Sequence, residues 1–340
     1  MEMCRGKSLV IAVALSCLVL LSLGGQCYGQ LQQGFYRGKC ISNNDLDFFG
    51  RTSFKEEDVE KIVEQEVSRE FFNDPKLAAA LLRLLFHDCF VEGCDASILL
   101  DGTGSEKEAG ANQSVRGYDV IERIKKVLER ICPGVVSCAD IIALATRDAV
   151  ALASREKLRS PVKTGRKDGF VSLASNVDLP SSTISVSQSI DKFKLKGLSE
   201  TEMVLLLGAH TVGMTHCGFF QDRLYRADEP MDADLRRALQ ARCPQDGSGS
   251  NNPVALDQGT PMAVDKSYFD QISTKRGILQ IDQDLFTSGL TNKTVIEIAA
   301  KGFDFAVRFG QAMAKLGEVG VKTTEDQGEI RTTCGRVNFS

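Results

Sequence analysis

Three features of this 340-residue sequence predict a mainly α fold, two helical lobes sharing one core. Apolar residues recur at three- and four-residue steps from Asp58 to the C-terminal third, strand-like alternation is scarce, and no repeat or low-complexity linker separates independent domains. Taken in order, residues 1–29 read as a cleaved secretory signal. Arg5 and Lys7 precede an apolar run from Leu9 to Leu23, and Cys27 and Gly29 place small residues ahead of a cut before Gln30. That run is nearer 15 residues than the roughly 20 needed to span a bilayer, and no later segment is long and apolar enough. Val59, Ile62, Val63 and Val67, with Glu and Lys between them, mark a half-buried helix. Asp74-Pro75 reads as an N-cap with proline at the first helical position, opening a second helix through LAAALLRLLFHDCF. Residues 117–131 and 137–153 hold two more periodic stretches, separated by Cys132-Pro133-Gly134. Ser199 with Glu202 forms a capping-box pattern before MVLLLGAH, and 291–317 close the chain with further helix. Segments 101–114, 160–190 and 244–265, rich in Gly, Ser, Asn and Pro, are expected as loops.

Composition narrows the function classes. With 43% hydrophobic and 25% charged residues the chain is globular, and 41 basic against 45 acidic residues, a net charge of −4, exclude an electrostatic nucleic-acid binder. Eleven cysteines are more than a cytosolic enzyme normally carries. Loss of residues 1–29 removes Cys4, Cys17 and Cys27, and with them Arg5 and Lys7 against Glu2, leaving eight cysteines and a charge of −5. An even number in an acidic secreted chain suggests four disulfides, with 105 connectivities open. Zinc is disfavoured, because the dense pair Cys89 and Cys94 has no matching Cys or His pair at finger-like distance.

Only three histidines are available as catalytic bases. Arg83 and His87, four apart, share one helix face and set a fixed cation beside a neutral base. An exposed arginine with a structural histidine is the competing reading of that spacing alone. The sequel, Asp88-Cys89-Phe90-Val91-Glu92-Gly93-Cys94-Asp95-Ala96-Ser97, gathers hard oxygen ligands into a tight loop that a Cys89 to Cys94 bridge would staple, which suits calcium.

The string RLLFHDCFVEGCDAS closely resembles the distal motif of the secreted plant haem peroxidases, class III, and GAHTVG around His210 resembles their proximal ligand motif. The likeness continues through SEKEAGANQSVRG, SCADIIALATRD, TGRKDG, DQGTPMAVD and QIDQDLF to the final cysteine, over nearly all of residues 30–340. The resemblance implies a single bilobal domain with the haem peroxidase fold, a distal lobe at 30–180 and a proximal lobe at 181–340 enclosing one haem b per chain. His210 would be the iron ligand, with Asp282 accepting its other N–H; His216, six residues on, lies outside the ligand position and reads as structural or surface. On the opposite face His87 would move the proton of peroxide, Arg83 would stabilise developing charge, Asn112 would hold His87 neutral, and Phe86 would cap the iron. One calcium would take Asp88, Val91, Gly93, Asp95 and Ser97, with Glu106 through water, and a second Thr211, Asp257, Thr260, Ala263 and Asp265. Pro180 would help seat aromatic donors. The family pairing joins Cys40 to Cys132, Cys89 to Cys94, Cys138 to Cys334 and Cys217 to Cys243, and Asp140 with Arg166 matches a buried structural ion pair. Asn112 also opens a glycosylation sequon, which burial would exclude; Asn292-Lys293-Thr294 is the better glycan candidate and Asn338 a weak one.

The chain departs from that pattern in three places. ISNNDLDFFGRTSFKEED after Cys40 is longer than in relatives, so residues 41–57 hold an insertion or a misjudged exon boundary that would weaken the Cys40 to Cys132 bridge. Leu85 replaces a frequent histidine, and Ser160 stands where an aromatic is common. The implied activity is reduction of hydrogen peroxide with oxidation of small phenolic donors to radicals, by a monomer secreted to the wall or vacuole. Lignin or suberin formation, defence and auxin breakdown are the family's roles. Two rival readings are a secreted haem and calcium protein without turnover, which would have no need of Arg83, His87 and Asn112, and a zinc hydrolase using His87 and His210.

Overall fold

The computed structural model describes residues 30–46, 52–155, 159–300 and 302–338, with Leu31–Ser340 forming one compact unit. The leader expected at 1–29 lies outside the described residues.

Helix α1 (Val59–Asn73) starts where Asp58 accepts the Lys61 N–H at 3.2 Å and buries Val59, Val63 and Val67, the stripe visible in the sequence. The next helix, α2 (Leu77–Val91), begins two residues beyond the expected start at Pro75. The Asp74 carboxylate accepts the Lys76 N–H at 2.9 Å, so Asp74, Pro75 and Lys76 form a turn ahead of the helix, and Lys76 provides no side-chain cap. Two further helices follow, α3 (Tyr118–Ile131) and α4 (Cys138–Ala153), the latter capped by Ser137 on the Asp140 N–H and buried over nearly its whole length. Helices α1, α2 and α3 all pack on α4, which makes it the central post behind α2.

Helix α5 (Val186–Leu195) begins inside the segment expected as a loop, started by a capping box of Ser185 and Gln188, and α6 (Glu200–Leu207) by the box of Ser199 and Glu202. The chain continues through α7 (Gln221–Tyr225), α8 (Ala233–Arg242), α9 (Ser267–Ser273), α10 (Gln280–Thr287), α11 (Asn292–Ala300) and α12 (Gly302–Leu316). Helix α12 packs on α6, and α9 on α10 and α11. Strands are few among the described residues. The segment after Cys40 forms an antiparallel hairpin, β1 (Ile41–Leu46) with β2 (Thr52–Glu56), while β3 (Met214–His216) pairs with β4 (Pro253–Ala255) so that Thr215 opposes Val254.

Four disulfides tie this frame: Cys40–Cys132, Cys89–Cys94, Cys138–Cys334 and Cys217–Cys243, spanning 92, 5, 196 and 26 residues. The bridge beside the hairpin is formed, and Cys40 is fully buried. The bridges over 92 and 196 residues fasten both ends of the unit to α3 and α4, where loop closure removes most freedom from the unfolded chain. A buried pair, Arg166 to Asp140 at 2.7 Å, is completed by the Tyr36 hydroxyl donating to Asp140 at 2.6 Å and by Arg166 Nε donating to the Gly317 carbonyl at 2.9 Å. With the remaining polar atoms satisfied in this way, the pair fixes how the 160–168 segment meets the end of α12.

Candidate active site

On α2 the four-residue spacing brings Arg83 and His87 together, and the 106–115 segment closes over them. His87 Nδ1 lies 2.6 Å from Asn112 Oδ1, and the Asn112 amide donates to the Glu106 carbonyl at 2.8 Å, which orients the oxygen toward the histidine. The ring therefore carries its proton on Nδ1 and presents Nε2 as a lone-pair acceptor. Arg83 Nε donates to that Nε2 at 3.2 Å, while its other nitrogens donate to Ser114 Oγ at 3.0 Å and the Ala111 carbonyl at 2.9 Å. Burial first and the Arg83 charge second push the His87 pKa down to about 4, with the Asn112 contact opposing them only in part. His87 is thus a neutral base through the physiological range, clamped on both nitrogens. Phe86, half-buried, meets His87 edge-on at 6.0 Å and stacks on Phe90 at 4.7 Å, with Phe193 of α5 behind.

His210 occupies a 3₁₀ turn directly after α6 and is 30% exposed. Its Nδ1 is 2.8 Å from Oδ1 of Asp282, which is buried in the first turn of α10 and no loop acid. Burial disfavours the imidazolium, but the charge and hydrogen bond of Asp282 outweigh it and leave the pKa above 6.5; the Arg83 charge, acting in the opposite sense, also reaches this ring. Gly213, at φ +99, brings its segment so near α2 that a Cβ there would lie 2.9 Å from that of Ala79. With Nδ1 committed to a carboxylate, His210 has Nε2 left for a metal, the donor arrangement that an axial haem histidine requires. His216 is exposed on β3 and is not brought to either group.

Both oxygen clusters suit a hard cation. On the distal side Asp88 Oδ1, Ser97 Oγ and both Glu106 carboxylate oxygens are buried without any hydrogen-bond partner. Burial, then the Asp95 charge, raises the Asp88 pKa well above its usual value, and burial raises Glu106 to about 7. Buried orphan oxygens cost free energy that a cation would recover. Gly93, at φ +104, is pressed so closely on Gly320 that no Cβ fits, which holds the Val91 and Gly93 carbonyls in the turn. Beyond α6, Thr211 Oγ1 lies 3.2 to 3.4 Å from three acceptors, Asp257 Oδ2, the Ala263 carbonyl and Asp265 Oδ1. Thr260 Oγ1 reaches Asp257 and Asp265 at 3.5 and 3.0 Å. Two hydroxyl protons cannot serve five such contacts, whereas one cation at the centre serves all the oxygens. In both clusters the donors are carboxylate, hydroxyl and carbonyl oxygens, the hard ligand set that suits calcium.

Pro180 is half-buried in the loop before α5, and that loop is anchored where the Ile281 N–H donates to the Ser182 carbonyl at 3.2 Å, next to Asp282. Three residues outside every sequence motif touch these groups. Tyr268 donates to Asp282, Lys322 pairs with Asp95, and Lys196 donates to the Val91 carbonyl at 2.9 Å. None has a local signal, since each lies 14 to 227 residues from its partner. Of the sequons, Asn112 is buried, and the Asn292 and Asn338 amides donate to the Phe286 and Ile330 carbonyls.

The chain is similar to known proteins over nearly its whole length. The family model described as Peroxidase matches residues 63–301. Peroxidase 60 of Arabidopsis thaliana is 47% identical over 96% of this chain and 96% of its own length. Peroxidase 62 of the same plant is 43% identical over 99% and 100%, and Peroxidase 5 of Vitis vinifera 39% over 94% and 95%.

Proposed function

Because the chain belongs to the plant class III haem peroxidases, we propose the roles of its own residues in that activity: His210 holds one haem b, His87 and Arg83 manage peroxide, and small phenols are the electron donors. The observation that carries this reading is the proton inventory at His87, a neutral ring with Nδ1–H given to Asn112 at 2.6 Å and an unprotonated Nε2 whose lone pair faces Arg83 at 3.2 Å. Bound haem supplies the electrons that break the peroxide O–O bond. His87 Nε2 accepts the proton of the incoming peroxide and returns it to the departing oxygen, for which a base with a pKa about 4 is neutral before each cycle and a competent acid once protonated. Arg83, held by Ser114 and Ala111 as well as His87, keeps its positive charge where negative charge develops. Asp282 fixes the tautomer and direction of His210.

Two calcium ions, one in each oxygen cluster, would stiffen the backbone on either side. The distal ion would take Asp88, Val91, Gly93, Asp95 and Ser97, with Glu106 behind a water. The proximal ion would take Thr211, Asp257, Thr260, Ala263 and Asp265, with Thr211 adjoining His210. Pro180, on the loop tied to α10, would border the place where a phenol gives up an electron. The four disulfides support a secreted protein working in the wall or vacuole, proposed as a monomer, and among the described residues no helix is long and apolar enough to cross a membrane.

Guaiacol oxidation by haem-loaded wild type and His87→Ala tests the assignment. The expected result is a loss of about 10²–10⁴-fold in the variant at equal haem content. Equal rates, or an inactive fully loaded wild type, would overturn it.

A further inference from the structure

The His210–Asp282 pair has a third member. Tyr268, on α9, is buried with 1% exposure, and its hydroxyl donates to Asp282 Oδ1 at 3.0 Å, the same oxygen that accepts His210 Nδ1–H at 2.8 Å. The other carboxylate oxygen takes the Leu279 N–H at 3.3 Å. The phenol ring meets His210 edge-on at 6.2 Å and Phe269 at 5.0 Å, so packing fixes its direction. We infer that Tyr268 is a positioning residue that sets how strongly His210 donates to a bound metal, by sharing the Asp282 oxygen that polarises the imidazole. This rests on the reading of His210 as the haem ligand.

Two donors on one carboxylate oxygen divide its negative charge. Each hydrogen bond to an ionised acceptor is a strong one, and burial of Asp282 and Tyr268 strengthens the competition between them. A carboxylate that also binds the phenol pulls less on the imidazole N–H, so the proton stays on Nδ1 and the ring remains a moderate electron donor. Without the phenol the full carboxylate charge falls on the N–H, the ring gains imidazolate character, and a ferric ion is favoured over a ferrous one. Burial, then the Asp282 charge and hydrogen bond, raises the Tyr268 pKa well above 10, which keeps it a donor and never a competing anion.

The test uses the haem-loaded protein and two perturbations of opposite sign. Tyr268→Phe removes the hydroxyl and keeps the ring, while fluorotyrosine at position 268 makes the phenol a better donor. Spectroelectrochemistry should show the ferrous-to-ferric ratio at fixed potential falling several-fold in Tyr268→Phe and rising with fluorotyrosine, a tenfold change being about 59 mV for one electron. The ferrous iron–imidazole stretch should move up in the first and down in the second. Unchanged values in both, or shifts of the same sign, would overturn the inference, since loss of packing has no reason to follow donor strength. Should Tyr268→Phe fail to retain haem, the fluorotyrosine shift decides alone. A wild type whose ferrous form has no iron–imidazole stretch would instead remove the ligand reading of His210, and this inference with it.

Discussion

His87 and His210 each give Nδ1 to a side-chain oxygen, at 2.6 Å from Asn112 and 2.8 Å from Asp282, yet their pKa values move in opposite directions. The geometry is shared and the acceptor's charge is not. A neutral amide cannot compensate for burial and the nearby Arg83 charge, so His87 falls to about 4; a carboxylate can, so His210 rises. In the proposed roles, the first imidazole serves as a proton carrier and the second as an electron donor. An amide and a carboxylate, nearly identical in shape, divide the labour of the site.

Exchanging the distal acceptor is the sharpest way to break that contrast. In Asn112→Asp a carboxylate faces His87 Nδ1, and the pKa should move from about 4 to above the unperturbed value, as it does at His210. A base must be neutral to act, so the acid limb of the kcat/KM profile for peroxide should move up with it. At pH 5 the expected loss is roughly tenfold or more, since each pKa unit is a factor of ten in the neutral fraction. A profile that keeps its limb near 4 would show that burial, and not the acceptor, controls His87.

The two oxygen clusters make a second contrast. The proximal oxygens already hydrogen-bond to one another, whereas distal Asp88, Ser97 and Glu106 have orphaned atoms. Removing calcium should therefore cost the distal side more, and in a pH-dependent way. Glu106, raised to about 7, holds a proton in the cation-free folded protein that the unfolded chain loses near 4.5. Over that window the folded state binds more protons, so its stability falls as pH rises. Added calcium should raise the melting midpoint of dialysed protein by about 5 °C at pH 8, as expected for a ligand at about 100 Kd worth about 2.7 kcal/mol, and by less at pH 5. An equal gain at both pH values would remove Glu106 from the distal site.

Much of this was legible because it is local. The Arg83–His87 pair needs only the helical repeat, and the distal loop spans ten residues from Asp88 to Ser97. The start of α2 lies beyond the expected one because Asp74 can cap a helix or close a turn with the same carboxylate, and the sequence does not say which N–H it will meet. Helix α5 was hidden in a serine-rich stretch whose composition reads as loop, although Ser185 and Gln188 form its capping box. The Tyr268 contact depends on α9 packing against α10, and Lys322 reaches Asp95 across 227 residues, so neither has a spacing to read.

A smaller prediction separates the site from its support. Ser160, where the family resemblance leads one to expect an aromatic residue, borders a cavity of about 40 Å³ lined by Leu85, Val150, Val162, Phe309 and Met313. Leu85 is two residues from His87 but, being buried against this cavity, points away from it on α2. Missing packing here loosens the back of the helix without touching Asn112 or Asp282. Filling a void of that size is worth about 1 kcal/mol at roughly 24 cal/mol per Å³. Ser160→Val should raise the melting midpoint by about 2 °C and leave the pH profile of peroxide reactivity and the iron–imidazole stretch where they were. If either moves with the stability, the two histidines answer to the packing of α2 as well as to their acceptors, and the amide-against-carboxylate account is incomplete.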